Sequence, residues 1–401
     1  MTDLPSFQWH PEARLFDATA EVARRRRGGT GFMWGSSTAL DMLGAAVLDR
    51  RPFCLSDAAA PPDIPLADGL FLTQSGGSSG TPKLIRRSQL SWIKSFEVNA
   101  VQFDMTPRDR VAVLGTPAHS LALYGVLEAL HLGVDAHVLA RLSPSRQMQA
   151  MAERKITVLY ATPTQIRMLM ASGAPLSLLR LILCGGGLLD TDTQDAAQAH
   201  FPNAAFHGFY GAAETSFITL AGPDTPQGSV GRVYPGVSIR ILDQSGQPAK
   251  DVGTVWARSP YLCDGYADGR PLRLEDGYIS AGEIGQLDRD GFLWLKGRHD
   301  RMVTIGDVNV FPETVEATIA AIPEVQNCAV LPQPDPHRGH HLVAVIRTDV
   351  HSDALQIRDI CRHRLGPAMT PKRVLTHPDF PLLPSGKPDL VALMHWLEDQ
   401  P

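Results

Sequence analysis

Ser75-Gly76-Gly77-Ser78-Ser79-Gly80-Thr81-Pro82-Lys83 closely follows the apolar Leu70-Phe71-Leu72. Glycines let a backbone approach a bulky anion and permit positive φ. Successive N–H groups and hydroxyls can then wrap phosphate oxygens, and Lys83 adds a point charge. The run lacks the Gly-Lys-Ser/Thr ending of a Walker loop. By itself it fits a flexible Gly/Ser connection equally well, so the surrounding chain has to decide.

Downstream, short apolar segments alternate with amphipathic ones. Residues 110–114, 135–139, 157–161 and 179–183 read as buried strands. Between them, residues 123–132, 144–154 and 166–172 have helical spacing, as do residues 38–50 upstream. This alternation predicts a parallel sheet covered on both faces. From about Ser229 the texture changes: residues 238–242, 253–258 and 291–295 alternate as strands between Asp/Gly turns. A compact tail then reads strand (302–310), helix (312–322), strand (326–331), strand (341–347), helix (353–364). The expected α/β architecture is a large N-terminal domain, 1–299, with a small β-rich subdomain at about 229–297. A mobile α+β C-terminal domain, 300–401, follows, with the boundary near Asp300.

Composition bounds the function. The 401 residues are 44% hydrophobic and 20% charged with net charge −5, which suits globular domains and not nucleic-acid binding. The run Arg24–Arg27 lacks the apolar face of a membrane anchor. Five scattered cysteines without a CxxC pair suggest neither a disulfide framework nor a zinc site. With no signal-like core or membrane-length run, a cytoplasmic protein is expected.

Three further segments could carry chemistry. Gly208-Phe209-Tyr210-Gly211-Ala212-Ala213-Glu214-Thr215 sets a carboxylate among small residues, where it could hold a cation against a phosphate or simply face solvent. Residues 276–292, containing Gly282-Glu283, run on to Gly297-Arg298-His299-Asp300; alone they fit a pair of acidic turns. Pro384-Ser385-Gly386-Lys387 fits an exposed turn.

Taken together, in this order and spacing, the four segments resemble the adenylate-forming superfamily of acyl-CoA synthetases, aryl-acid ligases, adenylation domains and luciferases. The likeness covers nearly all of residues 70–390, is nearest to the short fatty-acid-CoA-ligase-like members, and is strong only because four motifs agree. Ala161-Thr162-Pro163-Thr164 and Cys184-Gly185-Gly186-Gly187 add to it.

The resemblance implies that a carboxylic acid and ATP give acyl-AMP and pyrophosphate, and that the acyl group then passes to a thiol. The acceptor would be CoA or the phosphopantetheine of a carrier protein. Ser75, Gly77, Ser78, Ser79, Gly80, Thr81 and Lys83 would hold the β- and γ-phosphates. Glu214 would ligate Mg²⁺, and Thr215 would meet the α-phosphate. Gly185, Gly186, Gly187, Gly208, Phe209, Tyr210 and Gly211 would frame the adenine and acyl pocket, with Tyr210 stacked on the base. Glu283 would bind ribose, and Arg298 ribose or phosphate. Lys387 would bridge the reacting carboxylate and α-phosphate, and Asp300 would be the hinge. His119 matches a position near the acyl carboxylate, though a core histidine reads the same. Many members of the superfamily are dimers, and the oligomeric state, a homodimer among the options, stays open at this point.

Some positions depart from the pattern. Relatives have Asp where Glu283 stands, so its carboxylate is displaced by about one bond, ~1.5 Å. Asp307 stands where a Gly usually borders the pantetheine tunnel, which puts ordinary CoA use in doubt. Only 76 residues precede Gly77, so an abbreviated N-terminal region is expected. Two rival functions stay open at this point: an adenylate-forming β-lactone synthetase, and a degenerate nucleotide-binding regulatory protein.

Overall fold

The parallel strands are largely apolar, and each sends alternate side chains to opposite faces. In Arg110–Val113, Val111 and Val113 enter one core, while Ala112 enters another on the far side. A computed structural model describes residues 5–25, 31–33 (backbone), 39–56, 66–75, 83–348, 353–383 and 386–400. Its largest sheet has eight strands, in the order Leu15–Phe16, Asp135–Val138, Arg110–Val113, Val158–Ala161, Leu181–Cys184, Ala205–Ala212, Ser216–Ala221, Arg232–Val233. The first six are mutually parallel and the last two antiparallel. Helices Gln89–Gln102 and Ser120–Leu132 feed the first core, Pro144–Glu153 and Pro163–Met170 the second. Each fully buried Leu, Val or Phe here contributes roughly 1.5–3 kcal/mol.

A second sheet was not legible as a sheet. It orders Gly265–Tyr266, Leu84–Ser88, Leu70–Gln74, Phe53–Ser56 and Gly31–Met33. Leu70–Gln74 and Leu84–Ser88 pair antiparallel, so the Gly/Ser run joins two sheet neighbours. Gly77, Ser78, Ser79, Gly80 and Thr81 lie outside the described residues. Both ends of the run are pinned: Ser75 N–H donates to the Lys83 carbonyl at 2.9 Å, and Lys83 N–H to Ser75 Oγ at 3.0 Å.

The β-rich segment forms a six-stranded sheet that includes Ser238–Leu242, Gly253–Arg258, Glu283–Leu287 and Leu293–Arg298. Beyond it, residues 302–310 are a hairpin and not the single strand expected. Val303–Ile305 pairs with Val308–Val310 because Gly306, at φ 61°, turns the chain in a region that favours glycine. Asp307 is exposed at the hairpin tip. Strands Asn327–Asp335, Gly339–Arg347 and Arg373–Thr376 form the tail's sheet, covered by Pro312–Ala320 and Ala354–Leu365 on one face and by Leu390–Glu398 on the other.

One polar cluster interrupts the first core. Glu128 is 0% exposed; it accepts from Tyr160 Oη at 2.5 Å and Asn99 Nδ2 at 2.8 Å. Burial pushes its carboxyl up to about 7, against the pull of Tyr160 and Asn99. The folded value lies above the ordinary 4.5, so the folded state holds the proton more tightly. That contribution to stability is full below about 4.5 and is lost as the pH rises through about 7. Melting curves at pH 5 and pH 8 test this. Glu128→Gln, which keeps a neutral hydrogen-bonding group, is expected to shrink the wild-type drop in Tm between the two by a few degrees. An unchanged drop would assign the pH dependence to other groups.

Candidate active site

Several parallel strands end on one cavity of about 480 Å³. Gly115 and Thr116 follow Arg110–Val113, Thr162 follows Val158–Ala161, and Gly186 follows Leu181–Cys184, all at the carboxyl ends where open α/β sheets place ligands. Thr162 caps the helix Pro163–Met170 by accepting from Gln165 N–H, while Gln165 Oε1 accepts from Thr162 N–H. This capping box fixes the Gln165 amide in the cavity wall. His119 stands at the N-terminal end of Ser120–Leu132 without a side-chain capping bond and also lines the cavity.

The turn bearing Glu214 is shaped by a bulge at Tyr210/Gly211, a device that re-aims the residues after it. A Cβ on Gly211 would lie 1.8 Å from the Ser216 carbonyl oxygen, so no other residue fits. Arg87, fully buried, supports the turn from beneath. It donates to the Ala213 carbonyl at 2.6 Å, to Ser216 Oγ at 2.8 Å and to the Tyr261 carbonyl. Burial pushes it down to about 10, opposed by Cys263, Asp264 and Glu214. Tyr266 Oη donates to Glu214 Oε1 at 2.8 Å, and Lys83 Nζ stands 5.4 Å from the centre of the Tyr266 ring. A single carboxylate, oriented on one oxygen and beside the pinned ends of the Gly/Ser run, suits Mg²⁺. That ion is commonly held by one or two carboxylates with phosphate and water completing its shell. No group of three or more metal-ligating side chains occurs among the described residues.

Across the cavity, Glu283 and Arg298 face each other in adjacent strands. Arg298 Nη1 donates to Glu283 Oε1 at 3.3 Å, while Nε and Nη2 donate to Asp300 at 2.9 and 3.1 Å. Burial alone would lower the Arg298 pKa, but Asp300 and Glu283 raise it and keep it charged. Burial raises Glu283, with Arg298 opposing. For Asp300, burial pulls upward but the Arg298 bonds win and hold it below the ordinary carboxylate range.

Lys387 enters from the tail. Its Cε lies 3.6 Å from where a Cβ on Gly186 would sit, and a Cβ on Gly386 would be 3.4 Å from Thr162 Oγ1. Burial lowers its pKa, and Arg298 lowers it further, while Glu283 and Glu214 oppose.

The cavity wall thus gathers Ser75, Lys83, His119, Gly186, Phe209, Gly211, Glu214, Glu283, Arg298, Asp300 and Lys387. Gly185, Gly187, Gly208, Tyr210 and Thr215 stand outside it. Tyr210 hydrogen-bonds Glu283 and packs against the apolar cluster of Ile218, Val255, Ala257 and Leu293. Gly185 lets the Phe209 ring lie where its Cβ would be, at 2.2 Å. The Thr215 hydroxyl accepts from Ala212 N–H at 3.0 Å within the turn. Pro384 and Ser385 lie outside the described residues.

Sequence reasoning missed Arg87 and Tyr266. Arg87 shares a strand face with Ile85, and that alternation marks a charged residue pointing inward. Tyr266 carried no comparable signal.

A family model described as AMP-binding enzyme matches residues 20–267, and one described as AMP-binding enzyme C-terminal domain matches 314–387. The uncharacterized acyl–CoA ligase YhfT of Bacillus subtilis is 30% identical over 88% of this chain and 74% of its own length. A feruloyl-CoA synthase of Amycolatopsis is 29% identical over 86% of this chain and 74% of its own length. Among solved structures, ATP-bound MatB from Rhodopseudomonas palustris aligns with TM-score 0.71 and 26% identity over 85% of this chain and 71% of that one. The o-succinylbenzoate CoA synthetase MenE of B. subtilis, in complex with OSB-AMP, aligns with TM-score 0.79 over 94% of each chain. At 18% identity that likeness speaks to the fold.

Removing the Arg87 guanidinium strands two carbonyls of the Glu214 turn region. Arg87→Met is expected to cost about 2–4 kcal/mol in urea unfolding, from buried acceptors left without donors. An unchanged midpoint would remove Arg87 from that supporting role.

Proposed function

The chain belongs to the AMP-binding enzyme family, and we propose that it is an AMP-forming ligase that activates a carboxylic acid as its acyl- or aryl-adenylate and passes the acyl group to a thiol. The observation that carries this reading is the meeting of Lys387, Lys83, Glu214 and the Glu283–Arg298–Asp300 chain around one cavity.

In the first half-reaction a carboxylate oxygen attacks the α-phosphorus in line with the departing pyrophosphate. Negative charge grows on the phosphoryl oxygens and the leaving group, so the chain supplies position and fixed positive charge. Lys387 meets the attacking carboxylate and α-phosphate. Lys83 and the Ser75 end of the Gly/Ser run face the β- and γ-phosphates. Glu214, oriented by Tyr266, holds the Mg²⁺ that neutralises phosphate charge when bound. Glu283 and Arg298 take the ribose edge, and Gly186 with Phe209 walls the acyl and adenine side. In the second half-reaction a thiol attacks the acyl carbonyl and AMP leaves. For that step the tail would turn about Asp300 and withdraw Lys387, which lines the same cavity, so that the thiol can enter. CoA is the acceptor that the curated relatives' names support, with a carrier-bound phosphopantetheine as its structural equivalent.

ATP–pyrophosphate exchange tests the reading. A panel of carboxylic acids is expected to include at least one that drives exchange, and the reading falls if every acid fails. Lys387→Ala is expected to slow acid-dependent exchange at least ~100-fold, while conversion of supplied acyl-adenylate to thioester persists. Equal loss of both steps would sink the assignment of Lys387 to the first. The lowered pKa of Lys387 adds a pH signature. The cation is lost as the pH rises, so exchange is expected to fall on the alkaline side at a pH below the ~10.4 of an exposed lysine.

A further inference from the structure

The ligase reading leaves the acid unnamed, and one wall of the cavity bears on it. Trp92, Tyr124, Tyr160, Phe209 and Phe217 all face the cavity. Their rings touch in series. Trp92–Tyr124 centroids are 5.1 Å apart, Tyr124–Phe217 5.2 Å, Phe209–Phe217 4.6 Å and Tyr124–Tyr160 6.1 Å.

The wall is anchored from behind. Tyr160 Oη donates to Glu128, and Tyr124 Oη donates to Ser95 Oγ at 2.8 Å while accepting from Asn99 Nδ2 at 3.2 Å. Ser95, Asn99 and Glu128 are each 0% exposed and none lies on the cavity. Both tyrosine hydroxyls therefore point into the protein, and the two residues, 5% and 1% exposed, close that side of the cavity as a packed wall. Trp92 is fixed as well, its Nε1 donating to Ser216 Oγ at 3.0 Å. There is no slack behind Tyr160. A Cβ on Gly125 would lie 2.9 Å from both the Tyr160 ring and Val113.

A flat π-system stacks well against such surfaces, edge-to-face or offset. A long saturated chain needs a passage, and here it would have to part rings that are hydrogen-bonded in place. We propose that the acid is a planar aryl or aryl-alkenyl carboxylic acid, and that long saturated acyl chains are rejected, with Glu128 as the positioning residue that holds the wall shut. This inference rests on the ligase reading above.

Exchange kinetics with benzoate, cinnamate, dodecanoate and hexadecanoate test it. The better aryl acid is expected to exceed both fatty acids in kcat/KM by about 100-fold or more. Exchange driven as well or better by the fatty acids would overturn this inference and leave the ligase reading standing. Exchange driven by none of the four, but by other acids of a wider panel, would also overturn it alone. Silence from every acid overturns both.

Two variants probe the wall. Tyr160→Ala is expected to raise dodecanoate relative to the aryl acid by about tenfold or more. Tyr160→Phe keeps the ring and removes only the bond to Glu128, so it guards against a folding failure of the first. It is expected to raise KM for the aryl acid severalfold with kcat kept. An equal fall in kcat for all acids in the Phe variant would reduce the tyrosine to general stability and overturn the wall's role in selection.

Discussion

The guanidinium of Arg298 sits between two carboxylates, Glu283 in the same sheet and Asp300 two residues on. Its backbone N–H also reaches Glu313 Oε1 at 3.3 Å, at the start of the first tail helix. One residue thus joins the ribose side of the cavity, the proposed hinge and the tail. The planar fork of arginine suits this, since it can serve Asp300 bidentately while keeping an N–H for Glu283. The same charge depresses the pKa of Lys387. Removing the guanidinium would therefore alter the docking of the tail and the electrostatics of the lysine that the tail delivers.

Lys83, Arg270, Arg273, Arg298 and Lys387 stand against Glu214, Glu283 and Asp300 on the cavity wall, an excess of positive charge. That excess suits a polyanion, and Glu283 and Asp300 orient the Arg298 guanidinium within it. Oriented charge of this kind stabilises a transition state without reorganising at the moment of reaction.

Much of this was legible in the sequence. The parallel strands were found because burial on both faces leaves unbroken apolar runs such as Leu181-Ile182-Leu183, and among the described residues of the four motifs Ser75, Lys83, Glu214, Glu283, Arg298 and Lys387 line one cavity. What stayed hidden depended on pairing at a distance. Leu84–Ser88 carries two arginines and looks polar, yet one of them is fully buried beneath a turn more than a hundred residues later. Phe53–Ser56 and Gly265–Tyr266 are too short to announce a common sheet. The hairpin at 303–310 was read as one strand because its turn needs only Gly306 and Asp307 between apolar neighbours. The aromatic wall draws on two helices and three strands, so no local pattern encodes it.

The arrangement of cores argues for a tail that can move. Among the described residues, the apolar clusters divide cleanly: those of the tail draw only on residues 303–397, and the others reach no further than Leu295. Contacts across the junction include the hydrogen bonds from Thr314 Oγ1 to the Lys296 carbonyl at 2.9 Å and from Arg298 N–H to Glu313, beside Phe311 packed on Gly297. Rotation about Asp300 would exchange these for water at little cost, because each hydrogen bond has a net worth of only about 0.5–1.5 kcal/mol. No shared hydrophobic core would have to open. Under the proposed two-step reaction such a tail would hold Lys387 against the nucleotide for the first step and release it for the second. A balance of this kind requires the docking contacts to be few, directional and polar.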